Sequence, residues 1–240
     1  MSIIYRNRIN KTFVYSTNKT RGSNKTVVTN KTILDKIKKY RIPPAWIKVE
    51  ITLNKSLIAI GFDSVGRKQY VYSTDYIEKK RIRKYCGLID FINVIPKIRT
   101  DILRILKKKS LTKEKIIAIL LNIIIICSFR IGTEGNRDKY QSQGISTVTK
   151  KEITIGKKDV IIDFIGKKQV RNKCKIVDPQ MINILKGIYN TKNTKRIKDN
   201  FFKINNSNIT ITDVNKYLKS FNENVTSKVF RTWLANTKII

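Results

Sequence analysis

The 240-residue sequence predicts an α+β protein: a small antiparallel β domain over residues 1–78, then a mainly helical domain over residues 79–240 that carries one β-hairpin. Three observations predict it. Apolar residues alternate with a period of two between Trp46 and Ser73, which suits half-buried strands. After Glu78 they take up helical spacing. A β-branched run then returns once, in "VIIDFIGKKQV" at residues 160–170, where Gly166-Lys167-Lys168 supplies a hairpin tip.

Residues 1–40 are rich in Asn, Thr and Lys, and "STNKTRGSNKTVVTNKT" reads as loop or short edge strands. "RIPPAWIKVEITL" enters through Pro-Pro and alternates Val49, Ile51 and Leu53 on one face of a strand. In "SLIAIGFDSVGRKQYVYS" the turn chemistry of Asp63-Ser64-Val65-Gly66 pairs residues 58–60 with 69–73 as a hairpin. From Glu78, Leu88, Phe91, Ile92 and Ile95 share a helix face, and Pro96 predicts two helices rather than one. Ser110 or Thr112 can cap the next helix, Glu114 suits its first turn, and residues 116–127 form its nearly all-apolar body. That body is too short, and too interrupted by Asn122, to span a bilayer. Asp178-Pro179 opens a further helix ending near Asn190, a polar loop follows through Asn208, and Thr212 caps "DVNKYLKSFN" before a last segment, "VTSKVFRTWLANTKII".

Composition narrows the partner. The chain holds 51 Lys+Arg against 17 Asp+Glu, a net charge of +34 that exceeds any solubility need and attracts polyanions, nucleic acid above all. Histidine is absent, which excludes Ser-His and Cys-His nucleophile pairs, His-ligated zinc and an imidazole base. Cys86, Cys127 and Cys174 show no CxxC spacing and fit reduced core thiols of an intracellular protein. The segment "MSIIYRNRINKTF" has no apolar core of the signal-peptide kind, so neither secretion nor membrane insertion is expected. Within this basic chain, one arginine, Arg130, stands at the end of the apolar helix and is followed by Gly132, while Lys167 stands at the hairpin tip. A helix-end arginine and a hairpin-tip lysine suit a phosphate.

The ordered pieces "GRKQYVYS", "FRIG", "VIIDFIGKKQV" and "VFRTW" resemble the type IB DNA topoisomerases of the compact poxvirus and giant-virus kind, over residues 41–240. The resemblance implies a clamp around duplex DNA, a catalytic fold related to that of tyrosine recombinases, and supercoil relaxation with no metal, ATP or other cofactor. It implies that a tyrosine attacks a backbone phosphate to give a 3′-phosphotyrosyl link, with Arg130 and Arg231 as phosphate-holding arginines and Lys167 protonating the leaving 5′-oxygen. It also implies DNA contacts from Arg67, Gln69, Tyr70, Tyr72, Tyr140 and Lys168, action as a monomer, and an intracellular location at DNA.

The sequence departs from that family pattern at two places. Family members continue past the second arginine to a histidine or lysine and then the tyrosine, whereas none of the ten tyrosines here follows Arg231. The expectation is therefore a truncated or split enzyme, inactive alone, whose nucleophile comes from a separate polypeptide. A non-catalytic DNA clamp and a tyrosine recombinase are the alternatives; the β-rich first third opposes the recombinase. The second departure is Glu152, near where relatives often carry a histidine.

Overall fold

A computed structural model describes residues 3–17, 26–191, 199–205 and 207–237. The chain divides into two compact units, Met1–Arg83 and Lys84–Ile240.

In the first unit, strands β1 (Ile4–Ile9), β2 (Thr12–Ser16), β3 (Ile47–Ile51), β4 (Leu57–Phe62) and β5 (Lys68–Tyr72) form one sheet in the order β2-β1-β3-β4-β5. Every pairing in it is antiparallel. Val49, Ile51, Ile58 and Ala59 meet Ile4 and Ile37 in its core. The β4–β5 hairpin forms as the turn residues dictate. Asp63 accepts from the Val65 and Arg67 backbone N–H groups, and Gly66 takes φ +74°.

Within residues 1–40 the structure adds what the sequence reading missed, an interior strand β1 and a helix α1 (Lys31–Lys39) capped by Asn30, while β2 lies at the sheet edge. Strand β1 was hidden because one of its inward positions is an arginine. Arg6 is buried, donates to the carbonyls of Ile42, Pro43 and Trp46, and lies 4.4 Å over the Phe13 ring. Residues 18–25 of the predicted loop lie outside the described residues.

Helix α2 is continuous over Thr74–Leu106, so Pro96 does not divide it. Pro96 is exposed, which lets water satisfy the carbonyl its missing N–H leaves free, while Phe91, Ile95, Ile98, Ile102 and Ile105 bury one stripe on both sides of it. Ile92, expected on that face, points to solvent. Helix α3 (Lys113–Cys127) is the centre of the second core, capped by the Thr112 side chain accepting from Lys115 N–H.

A short helix α4 (Glu134–Tyr140) follows, then a three-stranded antiparallel sheet of β6 (Ile153–Ile155), β7 (Val160–Ile165) and β8 (Arg171–Ile176). Helix α5 (Pro179–Asn190) is opened by Asp178 as expected. Residues 192–198 and 206 of the predicted polar loop lie outside the described residues; the rest of it buries Phe201 and Phe202 completely and forms the small pair β9 (Lys203–Ile204) and β10 (Ser207–Asn208). The cap of α6 (Ile211–Lys219) is Thr210 rather than Thr212, because Asp213 three residues on completes a reciprocal capping box with Thr210. Helix α7 (Ser227–Thr237) ends the described chain, with Phe230 packed edge-on against Phe91 at 5.1 Å.

The cysteine expectation also fails. Cys127 and Cys174 form a disulfide between the end of α3 and β8, and Cys86 is exposed rather than in the core. Spacing along the sequence could not reveal a pair 47 residues apart that the fold brings to a Cα–Cα distance of 5.7 Å. Among the described residues no helix is long and apolar enough to cross a membrane.

Candidate phosphate-binding site

Helix α3 ends because Ser128 turns left-handed, φ 57°, and its N–H donates to Ile124 O. The turn throws the following residues off the helix axis. Phe129 is buried and stacks edge-on against Phe164 of β7 at 4.9 Å, so Arg130 emerges exposed beside the hairpin sheet.

The loop that carries Arg130 is held by its backbone. Arg130 O accepts from Ile145 N–H at 2.8 Å, and the buried Ser146 hydroxyl both accepts from Gly132 N–H and donates to Gly132 O, each at 3.0 Å. Gly132 and Gly144 approach so closely that a Cβ on either meets backbone atoms of the other. Thr147 Oγ1 closes the cradle by accepting from Gly144 N–H.

Arg231 approaches the same loop from α7. It is half-buried, its Nε donates to Ser128 O at 3.2 Å, and its proton affinity is lowered first by burial and then by the charge of Arg130. Two guanidinium groups therefore share one field. Neither is in an ion pair among the described residues, although Arg67, Arg104 and Arg171 in the same chain are paired with Asp63, Asp101 and Asp163. An arrangement of unpaired, mutually repelling cations on a partly desolvated surface is suited to an anion.

Lys167 lies in the β7–β8 turn, exposed and without an ion pair among the described residues. The turn is closed by Gly166 N–H donating to Val170 O at 2.8 Å, and Lys168 and Gln169 are both left-handed, φ 64° and 58°. The second strand begins at Arg171, two residues later than the sequence suggested, since Gln169 belongs to the turn. Two contacts join this hairpin to the stretch after Arg130. Gln143 N–H donates to Ile165 O at 2.9 Å, and the Gln169 side chain donates to Tyr140 O at 3.1 Å. The fold thus joins the segments that carry Arg130, Lys167, Lys168, Arg231 and Tyr140 through direct contacts. Tyr140 ends α4, exposed, with the Lys139 ammonium 5.3 Å from its ring.

Glu152 is taken up locally, accepting from the Thr149 N–H and hydroxyl at 2.7 and 2.8 Å. It borders an open cavity of about 410 Å³ with Arg137, Gln143 and Asp163. Tyr217 is engaged in a structural contact. Its hydroxyl donates to Asp101 at 2.7 Å, and burial, reinforced by that carboxylate, pushes the phenol far above its ordinary range.

Arg67, Gln69, Tyr70 and Tyr72 belong to the first unit. Arg67 and Gln69 both donate to Asp63, at 2.8 and 2.9 Å, and these contacts with the Arg67 backbone N–H foremost hold that carboxyl down at about 2. Tyr70, Tyr72 and Tyr76 stack in a row, with Lys68 near the first ring and Lys80 near the other two. Ser128 O, Ser146 and Gln169 escaped sequence reasoning because they act through backbone contacts. Only the Gly132–Gly144 pair left a signal in the sequence.

Comparison with known proteins places this geometry in context. Residues 73–239 match the family described as eukaryotic DNA topoisomerase I, catalytic core. The whole chain aligns with DNA topoisomerase 1B of Acanthamoeba polyphaga mimivirus at 32% identity, covering 72% of that protein. Half of it, 49%, aligns with DNA topoisomerase 1B of Vaccinia virus (strain Copenhagen) at 26% identity, covering 37% of the relative. DNA topoisomerase 1 of Schizosaccharomyces pombe is 29% identical over 65% of this chain and 18% of its own length.

Proposed function

We propose, from the premise that this chain belongs to the type IB DNA topoisomerase family, that its 240 residues supply the duplex-DNA grip and the phosphate-holding half of a strand-cleaving site. The family is one of isomerases that act on DNA topology. The observation that carries the proposal is the approach of Arg231 to the Arg130 loop, with neither guanidinium in an ion pair among the described residues.

In this reading Arg130 and Arg231 hold the two non-bridging oxygens of one backbone phosphate and stabilise the charge that builds on them as phosphorus becomes five-coordinate. Lys167, on its hairpin, gives its proton to the departing 5′-oxygen, a step worth roughly two to four orders of magnitude in rate. The tyrosine that forms the 3′-phosphotyrosyl link comes from outside these 240 residues, on a separate polypeptide or a longer chain, because no tyrosine in them follows Arg231. Arg67, Gln69, Tyr70, Tyr72, Tyr140 and Lys168 contact the duplex, the protein works as a monomer, and the second unit is built on the fold shared with tyrosine recombinases. The bonding of Tyr217 favours a second reading, a clamp that binds DNA without cleaving it, since this phenol is committed to Asp101.

The experiment mixes purified chain with supercoiled plasmid, without metal or ATP, and traps covalent adducts with denaturant. Binding with neither relaxation nor adduct is expected from the 240 residues alone. Relaxation with a 3′-linked adduct would refute the incomplete site, and peptide mapping would identify the tyrosine used. Adding a separately made C-terminal segment that carries the tyrosine expected of the family separates the two readings: restored cleavage supports the split site, and continued binding without cleavage supports the clamp.

A further inference from the structure

We propose that the Cys127–Cys174 disulfide is a positioning link for the phosphate site, and that its reduction by a dithiol frees the lysine hairpin from the arginine loop. The proposal rests on the functional reading above for the site it serves. Cys127 is the last residue of α3, next to the Ser128 carbonyl that anchors Arg231 and three residues before Arg130. Cys174 lies on β8 opposite Ile162, in the hairpin whose turn carries Lys167. One covalent loop therefore contains both Arg130 and Lys167, and closing it removes freedom from both at once.

The position explains why a covalent link is useful there. Among the described residues, the far half of the hairpin meets the Arg130 side of the site through the Phe129–Phe164 contact, the Gln143–Ile165 hydrogen bond and the Gln169–Tyr140 hydrogen bond. Its tip places two consecutive non-glycine residues, Lys168 and Gln169, in the left-handed region, a conformation that persists only when the surroundings enforce it. A fixed base at Cys174 supplies part of that enforcement. Both cysteines are half-buried, so a small thiol reagent can reach them, and Cys86, exposed on α2, is a bystander in the described residues.

The chemistry balances as a thiol–disulfide exchange. One thiolate of the dithiol attacks a sulfur of the Cys127–Cys174 bond, which breaks to leave a mixed disulfide and one free cysteine. The second reagent thiolate displaces the remaining cysteine, so the reagent leaves oxidised to a cyclic disulfide and the protein gains two electrons and two protons.

The test uses the full chain in a Cys86→Ser background, as isolated and after treatment with oxidised glutathione, each alkylated under denaturing conditions without reductant. Cys127 and Cys174 should resist alkylation at least after the treatment; if both still react, the link does not form and the proposal falls. Amide exchange is then compared before and after dithiothreitol. Loop closure over 47 residues corresponds to at most about a thousandfold in local opening, so exchange should rise roughly ten- to a thousandfold at residues 128–132 and 165–171. It should change little in α5. The Cys127→Ser/Cys174→Ser protein should show the raised exchange with or without dithiothreitol. Unchanged exchange at both segments, or an equal rise in α5, would overturn the link.

Acylation of lysines in the presence of duplex DNA adds a readout that a merely structural disulfide would not move. Lys167 should be protected by DNA in the oxidised form and lose much of that protection on reduction, while bulk affinity stays within about twofold because one amine among dozens is affected. If exchange rises but DNA protects Lys167 in neither form, the link stands and the DNA reading of the hairpin falls.

Discussion

Replacing Gly144 with alanine should unseat the Arg130 loop, and the structure fixes how much this costs. A Cβ on Gly144 lies 2.6 Å from both Arg130 O and Gly132 Cα, against the 3.5–4.0 Å of ordinary contact. Both are backbone atoms, so no side-chain rotation relieves the clash and the two segments must part by about an ångström. Parting them strains the Ile145–Arg130 hydrogen bond at 2.8 Å and the Ser146–Gly132 pair at 3.0 Å. Overpacking costs about 1–3 kcal/mol, and these hydrogen bonds, weakened rather than lost, about 1 kcal/mol together. The sum, roughly 2–4 kcal/mol, lowers the melting temperature of a unit this size by roughly 5–15 °C. Calorimetry on G144A measures it, with G135A as control, because a Cβ there meets nothing within 4 Å and sits in a helix that alanine favours. A G144A protein melting within about 2 °C of the parent, or no lower than G135A, would refute the close-approach argument.

Substituting Tyr217→Phe removes the hydroxyl that joins α6 to Asp101 of α2 while Arg104 keeps the carboxylate paired; urea unfolding should show a loss of about 1–2 kcal/mol with duplex affinity unchanged, and a tenfold loss of affinity would sink the structural assignment. The first unit should be acid-sensitive through Asp63, whose folded value of about 2 lies below the ordinary 3.8. A depressed carboxyl stabilises above its unfolded value and loses that contribution as the pH falls toward the folded one, so the gap in melting temperature between parent and D63N should be full at neutral pH and close between about pH 4 and 2. A gap that persists at pH 2 would contradict the linkage. Duplex affinity should fall steeply with salt, and R130A should reduce the slope of log affinity against log salt by no more than about 0.9, the share of one phosphate contact; fluorescence anisotropy across a salt series gives both slopes.

The sequence was most legible where hydrophobic period and turn chemistry agreed. The Asp63–Gly66 turn, the apolar α3 and the Asp178-Pro179 helix start each combine a periodic pattern with a local stop or start signal, and all three form as read. It was least legible where a tertiary contact overruled a local rule. Pro96 should end a helix, yet the buried stripe on both sides carries α2 through it. Arg6 should face water, yet three carbonyls and an aromatic ring take it inward. Phe201 and Phe202 sit in a stretch of polar residues and are the largest omission from the expected core. At the site, motif order pointed to Arg130, Lys167 and Arg231. What sequence could not show is the scaffold that fixes them, since Ser128 acts through its carbonyl, Gly144 through having no side chain, and Cys127 with Cys174 through a pairing that only folding creates.

A net charge of +34 makes DNA an obvious partner but cannot by itself choose where chemistry happens. The choice follows from which cations are left unneutralised and how firmly they are held. Some of the arginines and lysines face a carboxylate: Arg104 with Asp101, Arg171 with Asp163, Lys175 with Asp159, Lys203 with Asp199. Each such pair presents little net field to a phosphate. Arg130 and Arg231 differ, because neither is in an ion pair among the described residues, the first stands on a backbone-held loop, and the second is tied to that loop by a carbonyl. Their repulsion is a cost the free protein bears. An anion placed between them removes it, and the relief grows with the charge the anion carries. A phosphate diester carries one negative charge, whereas its five-coordinate transition state concentrates more on the same two oxygens. On the proposed reading the pair therefore favours the transition state over the bound substrate.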